Sequence, residues 1–177
     1  MGTENRRYNV LFLCTHNSAR SIFAEALVNA MPDCGLDAYS AGSEPAADVH
    51  PQALALLESL SIPTAGLHSK HWDTFATPEA PAMDFVFTVC DKAAQQTCPA
   101  WPGKPVTAHW GVPDPSIVTE DAEASRKAFR QAFHMLRHRI QLFASLPIEA
   151  RDRLTLQREV DAIGRQVSSI DDRHDRP

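Results

Sequence analysis

No apolar stretch in this sequence approaches the roughly 18 residues that cross a bilayer, which excludes a membrane-spanning helix. The apolar run nearest the start, Val10 to Leu13, is too short for the core of a signal peptide, although Arg6 and Arg7 precede it. Positive charge is not in excess either. Lys and Arg total 17 against 22 Asp and Glu, a net charge of −5, so long-range attraction to nucleic acid or anionic lipid is missing. Cysteine is scarce: four residues, at 14, 34, 90 and 98, are too few and too scattered for the disulfide framework of a small secreted domain. There is no Cys-x-x-Cys pair to seed a tetrahedral zinc site. Internal repeats and low-complexity segments are also missing. We therefore expect a cytoplasmic protein with no metal, whose thiols are either buried and inert or reactive.

What is present is the material of one domain. The chain has 177 residues, 44% of them apolar, and a chain of this size buries roughly 70% of its unfolded surface. Tyr8 to Cys14 is a short, nearly continuous apolar run, as suits a strand covered on both faces. From Ser18 to Met31 the residues Ile22, Phe23, Ala26, Leu27 and Ala30 fall on one helical face. Leu36 to Ala41 reads as a second strand ending at Gly42, and His50 to Leu60 as a helix with Pro51 in its first turn. Asp84 to Cys90 and Pro105 to Trp110 are the third and fourth strands. Asp121 to Ser145 is the longest helix, striped by Phe129, Ala132, Phe133, Leu136, Ile140 and Phe143 and closed by Pro147. Strands alternating with helices predict an α/β fold with a mostly parallel sheet, whose ligand sits off the carboxyl ends of the strands. Beyond Pro147, Leu156, Val160, Ile163, Val167 and Ile170 form a narrow seam. That seam fits either a face of its own domain or a second copy of the chain, as in a homodimer. Residues 1–146 are thus expected to form the catalytic domain and 147–177 a helical extension, with a disordered polar tail from Asp171.

The segment Cys14-Thr15-His16-Asn17-Ser18-Ala19-Arg20-Ser21 carries the chemistry. It lies between a strand and a helix, where a loop of this length can curl its backbone N–H groups around one tetrahedral oxyanion. The helix N-terminus adds donors and its dipole, and Arg20 a bidentate fork. The same field favours the thiolate of Cys14, and the Ser21 hydroxyl can hydrogen-bond the sulfur. Cys90, ending another predicted strand, is expected on the same rim. Asn17 lacks catalytic chemistry and is expected to hold the loop shape.

This loop, the segment Tyr39-Ser40-Ala41-Gly42, and His109-Trp110-Gly111-Val112-Pro113-Asp114-Pro115 resemble the low-molecular-weight protein-tyrosine-phosphatase family, and within it the arsenate reductase branch. The similarity runs in order from about Tyr8 to Phe143. It implies a three-layer α/β/α fold with a four-stranded parallel sheet and helices on both faces. It assigns proton donation to Asp114 of the Asp-Pro pair, a role that a carboxylic acid on a loop facing the nucleophile can fill. Three features lean toward the reductase, the first being Cys90 at a strand end with Cys98 following it, thiols that a phosphatase does not need. Tyrosine phosphatases of the family place aromatic residues after the Asp-Pro pair, where this chain has Ser116-Ile117-Val118. His16 likewise stands where those phosphatases usually have Gly.

The resemblance implies that arsenate sits in the loop from Thr15 to Ala19 with Arg20, and that Cys14 attacks arsenic. Cys90 then displaces arsenite to form a Cys14–Cys90 disulfide, and Cys98 resolves that bond. No organic cofactor is implied. The reductant is thioredoxin or a small-thiol and glutaredoxin system. Thioredoxin-coupled members usually have six residues between the two later cysteines, and this chain has seven. Two other functions are open at this level. One is hydrolysis of phosphomonoesters, for which Cys14, Arg20 and Asp114 suffice. The other is a non-catalytic oxyanion sensor, for which the C-terminal seam is the best support. Cys34 is expected to be a small buried hydrophobe.

Overall fold

The computed structural model describes residues 6–166. Four strands form one parallel sheet in the order β2-β1-β3-β4: β1 (Tyr8–Cys14), β2 (Leu36–Gly42), β3 (Phe85–Thr88) and β4 (Val106–His109). Within residues 6–166, five α-helices accompany them: α1 (Arg20–Asn29), α2 (Pro51–Ser59), α3 (Asp91–Gln95), α4 (Ala122–Ala144) and α5 (Arg153–Arg165). Among the described residues no helix is long and apolar enough to cross a membrane.

The strand period of two divides β1 between two cores. Val10, Phe12 and Cys14 join the larger cluster, with Ile22 and Phe23 of α1 and Phe129, Phe133 and Phe143 of α4. Leu11 and Leu13 point to the other face, where Trp72, Phe75 and Met83 cover them. The first layer is built of α-helices. The second is thinner, a 3-10 turn at Trp72–Phe75 with its flanking chain. In the larger core Trp110 stacks on Phe87 at 4.0 Å and meets Phe143 edge-on. Trp110 is fully buried. Removing roughly 200 Å² of apolar surface at about 25 cal/mol per Å² stabilises the fold by on the order of 5 kcal/mol.

The sequence-based elements hold with shifted ends. The first helix starts at Arg20 rather than Ser18, because Ser18 and Ala19 belong to the preceding loop. The third strand stops at Thr88. Val89 still donates to the Leu13 carbonyl, but Cys90 has left the strand and caps α3, a helix the apolar pattern does not reveal. The C-terminal seam packs on its own domain. Leu156, Val160 and Ile163 enter the main core, and the Trp110 indole N–H donates to the Val160 carbonyl at 3.0 Å. A Cβ on Gly164 would collide with the His109 carbonyl, so α5 rests directly on the end of β4. Val167, Ile170 and the expected polar tail lie outside the described residues.

Candidate active site

Cys14 ends β1 and is buried. Its register partner is Gly42 at the end of β2. A Cβ at position 42 would stand 2.5 Å from the Thr15 carbonyl oxygen, so the chain can turn over the strand end only past a glycine. Within the turn Asn17 takes φ of 47°, a left-handed conformation that Asn tolerates better than most residues. Its side chain is fully used. The amide nitrogen donates to Ser21 Oγ at 2.8 Å and to Ser40 Oγ at 2.9 Å, and the amide oxygen accepts from the Lys70 N–H at 2.9 Å. The expected shape-holding role of Asn17 thus has a geometric basis.

These bonds orient the nucleophile. Ser21 Oγ accepts from Asn17, so its own proton is free to point at Cys14 Sγ, 2.9 Å away. The Asn17 N–H also donates to the sulfur, at 3.1 Å. Both donors favour a thiolate. Burial nevertheless pushes the Cys14 thiol up, and the Ser21 hydrogen bonds and the Arg20 charge offset this only in part. Helix α1 begins beside the loop with Ala19 at its N-cap, so no side chain caps its first-turn N–H groups. Ser18 stands just before it, its carbonyl accepting from the His50 N–H.

Arg20 reaches across the cleft to the loop that follows β4. One guanidinium nitrogen donates to the Val112 carbonyl at 3.0 Å, and another lies 3.4 Å from Asp114 Oδ2. The other Asp114 oxygen accepts from the Ser116 N–H at 3.0 Å and the Ser116 hydroxyl at 2.7 Å, capping a short 3-10 turn. Desolvation raises the Asp114 carboxyl, but the Ser116 hydrogen bonds together with Arg20 and His16 outweigh it and hold it below its ordinary value. As the geometry stands, Asp114 is a carboxylate paired with Arg20. Donating a proton requires that the pair be broken.

Thr15, His16, Arg20, Cys90, Val112 and Asp114 line one cleft of about 610 Å³. His16 is exposed at its edge, with Nδ1 3.1 Å from the Glu44 carbonyl oxygen. Cys90 is buried, its sulfur accepting the Ala93 N–H at 3.4 Å and lying 3.4 Å from the Thr15 hydroxyl. The second thiol therefore touches the residue next to the first. Cys98 is placed differently. It is half-buried against the apolar cluster on the second face, its S–H directed at the Gln96 carbonyl, and burial raises its thiol. Cys34 is also only half-buried, packed at the edge of the main core. Among the described residues no group of three or more His, Cys, Asp or Glu side chains is placed to hold a metal.

Sequence reasoning missed the support beneath the loop. Ser40 donates to Glu25 at 3.4 Å, and Lys70 lies 3.7 Å from the same carboxylate. Burial pushes Glu25 up and Lys70 down, each opposed by the other's charge. A signal existed for Glu25, an acid on a helix whose surrounding residues are buried. None existed for Lys70, which comes from a distant loop. Arg139, buried on α4, donates to the Gly111 carbonyl at 2.9 Å and steadies the start of the Asp114 loop.

Comparison with known proteins places this geometry. Residues 9–159 match the model of a family described as low molecular weight phosphotyrosine protein phosphatase. An arsenate reductase of Halalkalibacterium halodurans is 34% identical over 135 residues, 76% of this chain and 94% of that protein. The crystal structure of an arsenate reductase from Archaeoglobus fulgidus aligns with a TM-score of 0.60 at 27% identity, covering 77% of this chain and 99% of the other. A thioredoxin-dependent arsenate reductase of Corynebacterium glutamicum shares the fold, at 24% identity and a TM-score of 0.54, over 78% of this chain and 63% of that one.

Proposed function

The chain belongs to the low molecular weight phosphotyrosine protein phosphatase family, and on that footing we propose that it is an arsenate reductase working through a thiol relay. The observation that carries the reading is the Cys90 sulfur 3.4 Å from the hydroxyl of Thr15, the residue after Cys14. Hydrolysis has no use for that thiol. Reduction needs two electrons, and two neighbouring thiols can supply them.

Arsenate occupies the turn from Thr15 to Ala19, held by backbone N–H groups at the start of α1 and by the Arg20 guanidinium. Its negative charge competes with Asp114 for Arg20. Freed from that partner, Asp114 is raised toward the protonated state it needs in order to donate to the departing oxygen. The Cys14 thiolate, held by Ser21 and the Asn17 N–H, attacks arsenic and water leaves. The Cys90 thiolate then attacks the Cys14 sulfur. A disulfide forms, the sulfur–arsenic bond breaks with its electron pair going to arsenic, and arsenite departs. Two thiols have lost two electrons, and arsenic(V) has become arsenic(III).

Cys98 exchanges with that disulfide to give Cys90–Cys98, which an external dithiol reduces. In the described geometry Cys98 rests on the second face, so this step requires the chain between Cys90 and Cys98 to move. Thioredoxin is the reductant we propose, with a glutathione and glutaredoxin system as the alternative. A relay of free thiols works only in a reducing compartment, in keeping with cytoplasmic action. The test is arsenate turnover by the purified protein, with thioredoxin and with glutathione–glutaredoxin in parallel, alongside hydrolysis of an aryl phosphate. Turnover with either system supports the reading, and Cys14→Ser should abolish it. Turnover with neither, accompanied by fast hydrolysis, identifies a phosphatase instead.

A further inference from the structure

Helix α3, which starts just after Cys90, has five residues, and only Ala93 among them is buried. A helix that short has no stability of its own. What holds it is side-chain contact from outside. Lys92 pairs with Glu44 at 3.2 Å, and Ser43 Oγ donates to Gln96 Oε1 at 2.6 Å just past its end. The third contact is the one next to Cys90. His109 Nε2 lies 2.8 Å from Asp91 Oδ1, and His109 Nδ1 lies 2.8 Å from Thr88 Oγ1.

One imidazole therefore bridges the residues on either side of Cys90, two positions before it and one after. A carboxylate can only accept, so in the neutral ring Nε2 carries the proton and Nδ1 accepts from the Thr88 hydroxyl. The arrangement follows from the fold. Thr88 and His109 are register partners at the ends of β3 and β4, which brings the ring over the strand end where Cys90 departs. The next turn of chain is fitted around it. A Cβ on Gly111 would stand 2.8 Å from His109 Nε2 and 2.9 Å from Asp91 Oδ1, so a larger residue there would push these two side chains aside.

We propose that His109, with Asp91 and Thr88, is a positioning residue for Cys90, and that this clamp aims the Cys90 sulfur at Cys14 during thiol exchange. The proposal rests on the reductase reading. Main-chain hydrogen bonds to Leu13 and Val112 already hold Val89. What the clamp adds is a hold on Asp91, the first residue of α3, and through it on the cap geometry in which the Cys90 sulfur accepts the Ala93 N–H and lies against Thr15. Without it, the first turn of α3 loses its side-chain tie to the end of β4, and the Cys90 sulfur is aimed less firmly. Aryl-phosphate hydrolysis does not pass through Cys90 and is indifferent to the clamp.

The test compares His109→Ala, Asp91→Ala and Asp91→Asn, each in a Cys98→Ser background so that the Cys14–Cys90 bridge accumulates. Stoichiometric arsenate is added and quenched with N-ethylmaleimide at intervals, and the bridge is quantified by mass spectrometry. Iodoacetamide labelling of Cys90 without arsenate is followed separately. Both Ala variants should slow bridge formation at least tenfold and speed Cys90 labelling several-fold. Aryl-phosphate kcat and KM should stay within about threefold. Asp91→Asn keeps an oxygen to accept from Nε2 and should stay near the parent. Unchanged bridge formation and labelling in both Ala variants overturn the proposal. So does hydrolysis falling in step with bridge formation, since that marks a general loss of the cleft. If the parent itself forms no bridge with arsenate, the reductase reading fails, and the labelling rates alone still decide the clamp.

Discussion

Asn17→Ala should be among the most damaging single substitutions in the protein, although Asn17 carries no catalytic chemistry. The side chain is fully buried and makes three hydrogen bonds, to Ser21, Ser40 and the Lys70 N–H. Removing it forfeits about 1 kcal/mol for each bond, and the part-buried Lys70 N–H left without its acceptor adds about 1 kcal/mol more. The backbone contributes as well, because Ala at φ of 47° is about 1 kcal/mol less at ease than Asn. The sum is about 5 kcal/mol, a large share of the 5–15 kcal/mol typical of a domain. For a chain of this size that lowers Tm by roughly 10–20 °C.

The same change frees the Ser21 hydroxyl from its enforced direction. The hydroxyl no longer has to donate to Cys14, and the thiol should titrate higher than in the parent. Two assays separate the effects: thermal unfolding, and iodoacetamide labelling of Cys14 against pH, read by peptide mass spectrometry. Asn17→Gly is the control, because it relieves the backbone while still removing the three bonds. It should recover about 1 kcal/mol of stability but leave the Cys14 profile displaced to higher pH. A stability loss under about 1 kcal/mol in Asn17→Ala, together with an unmoved labelling profile, would refute the reasoning.

Arg20→Lys replaces a planar fork with a point charge. It should cost about 2–4 kcal/mol of transition-state stabilisation, a loss of roughly 30- to 1000-fold in kcat/KM for arsenate and aryl phosphate alike. Near-normal kinetics would place the oxyanion elsewhere. Cys90→Ser and Cys98→Ser should each stop multiple turnovers of arsenate reduction with little effect on aryl-phosphate hydrolysis, and Cys34→Ser should be silent in both assays. Asp114 is held below its ordinary value, so it binds protons more weakly folded than unfolded. It therefore contributes stability at neutral pH that is lost as pH falls through and below the ordinary carboxylate range. Tm followed down an acid titration should fall less steeply in Asp114→Asn; parallel curves would show that the Ser116 hydrogen bonds and the Arg20 pair are energetically silent.

Local spacing is what the sequence by itself determined. The apolar run from Tyr8 to Cys14 is too short for a helix and unbroken enough for a two-sided strand, and it forms β1. The stripe of α4 repeats at helical period over about four turns, and all six of its residues are buried; Ser125 and Arg139, buried beside them, were not readable in this way. The Cys14–Arg20 spacing between strand and helix needs no distant partner to be recognised. Three other features depended on where remote segments meet. A five-residue helix completes less than two turns, so α3 leaves no period to detect, and Cys90 moved from a strand end to a helix cap. The apolar seam of α5 announced burial but not its partner. That choice fell to its own domain, where the Trp110 indole and the glycine at 164 receive it. Lys70 meets Glu25, and Asp114 meets Arg20, across 45 and 94 positions of chain respectively. Side-chain periodicity encodes which face of an element is buried, whereas ion pairs between elements are set by the order in which strands join the sheet. Only the tertiary structure decided that order.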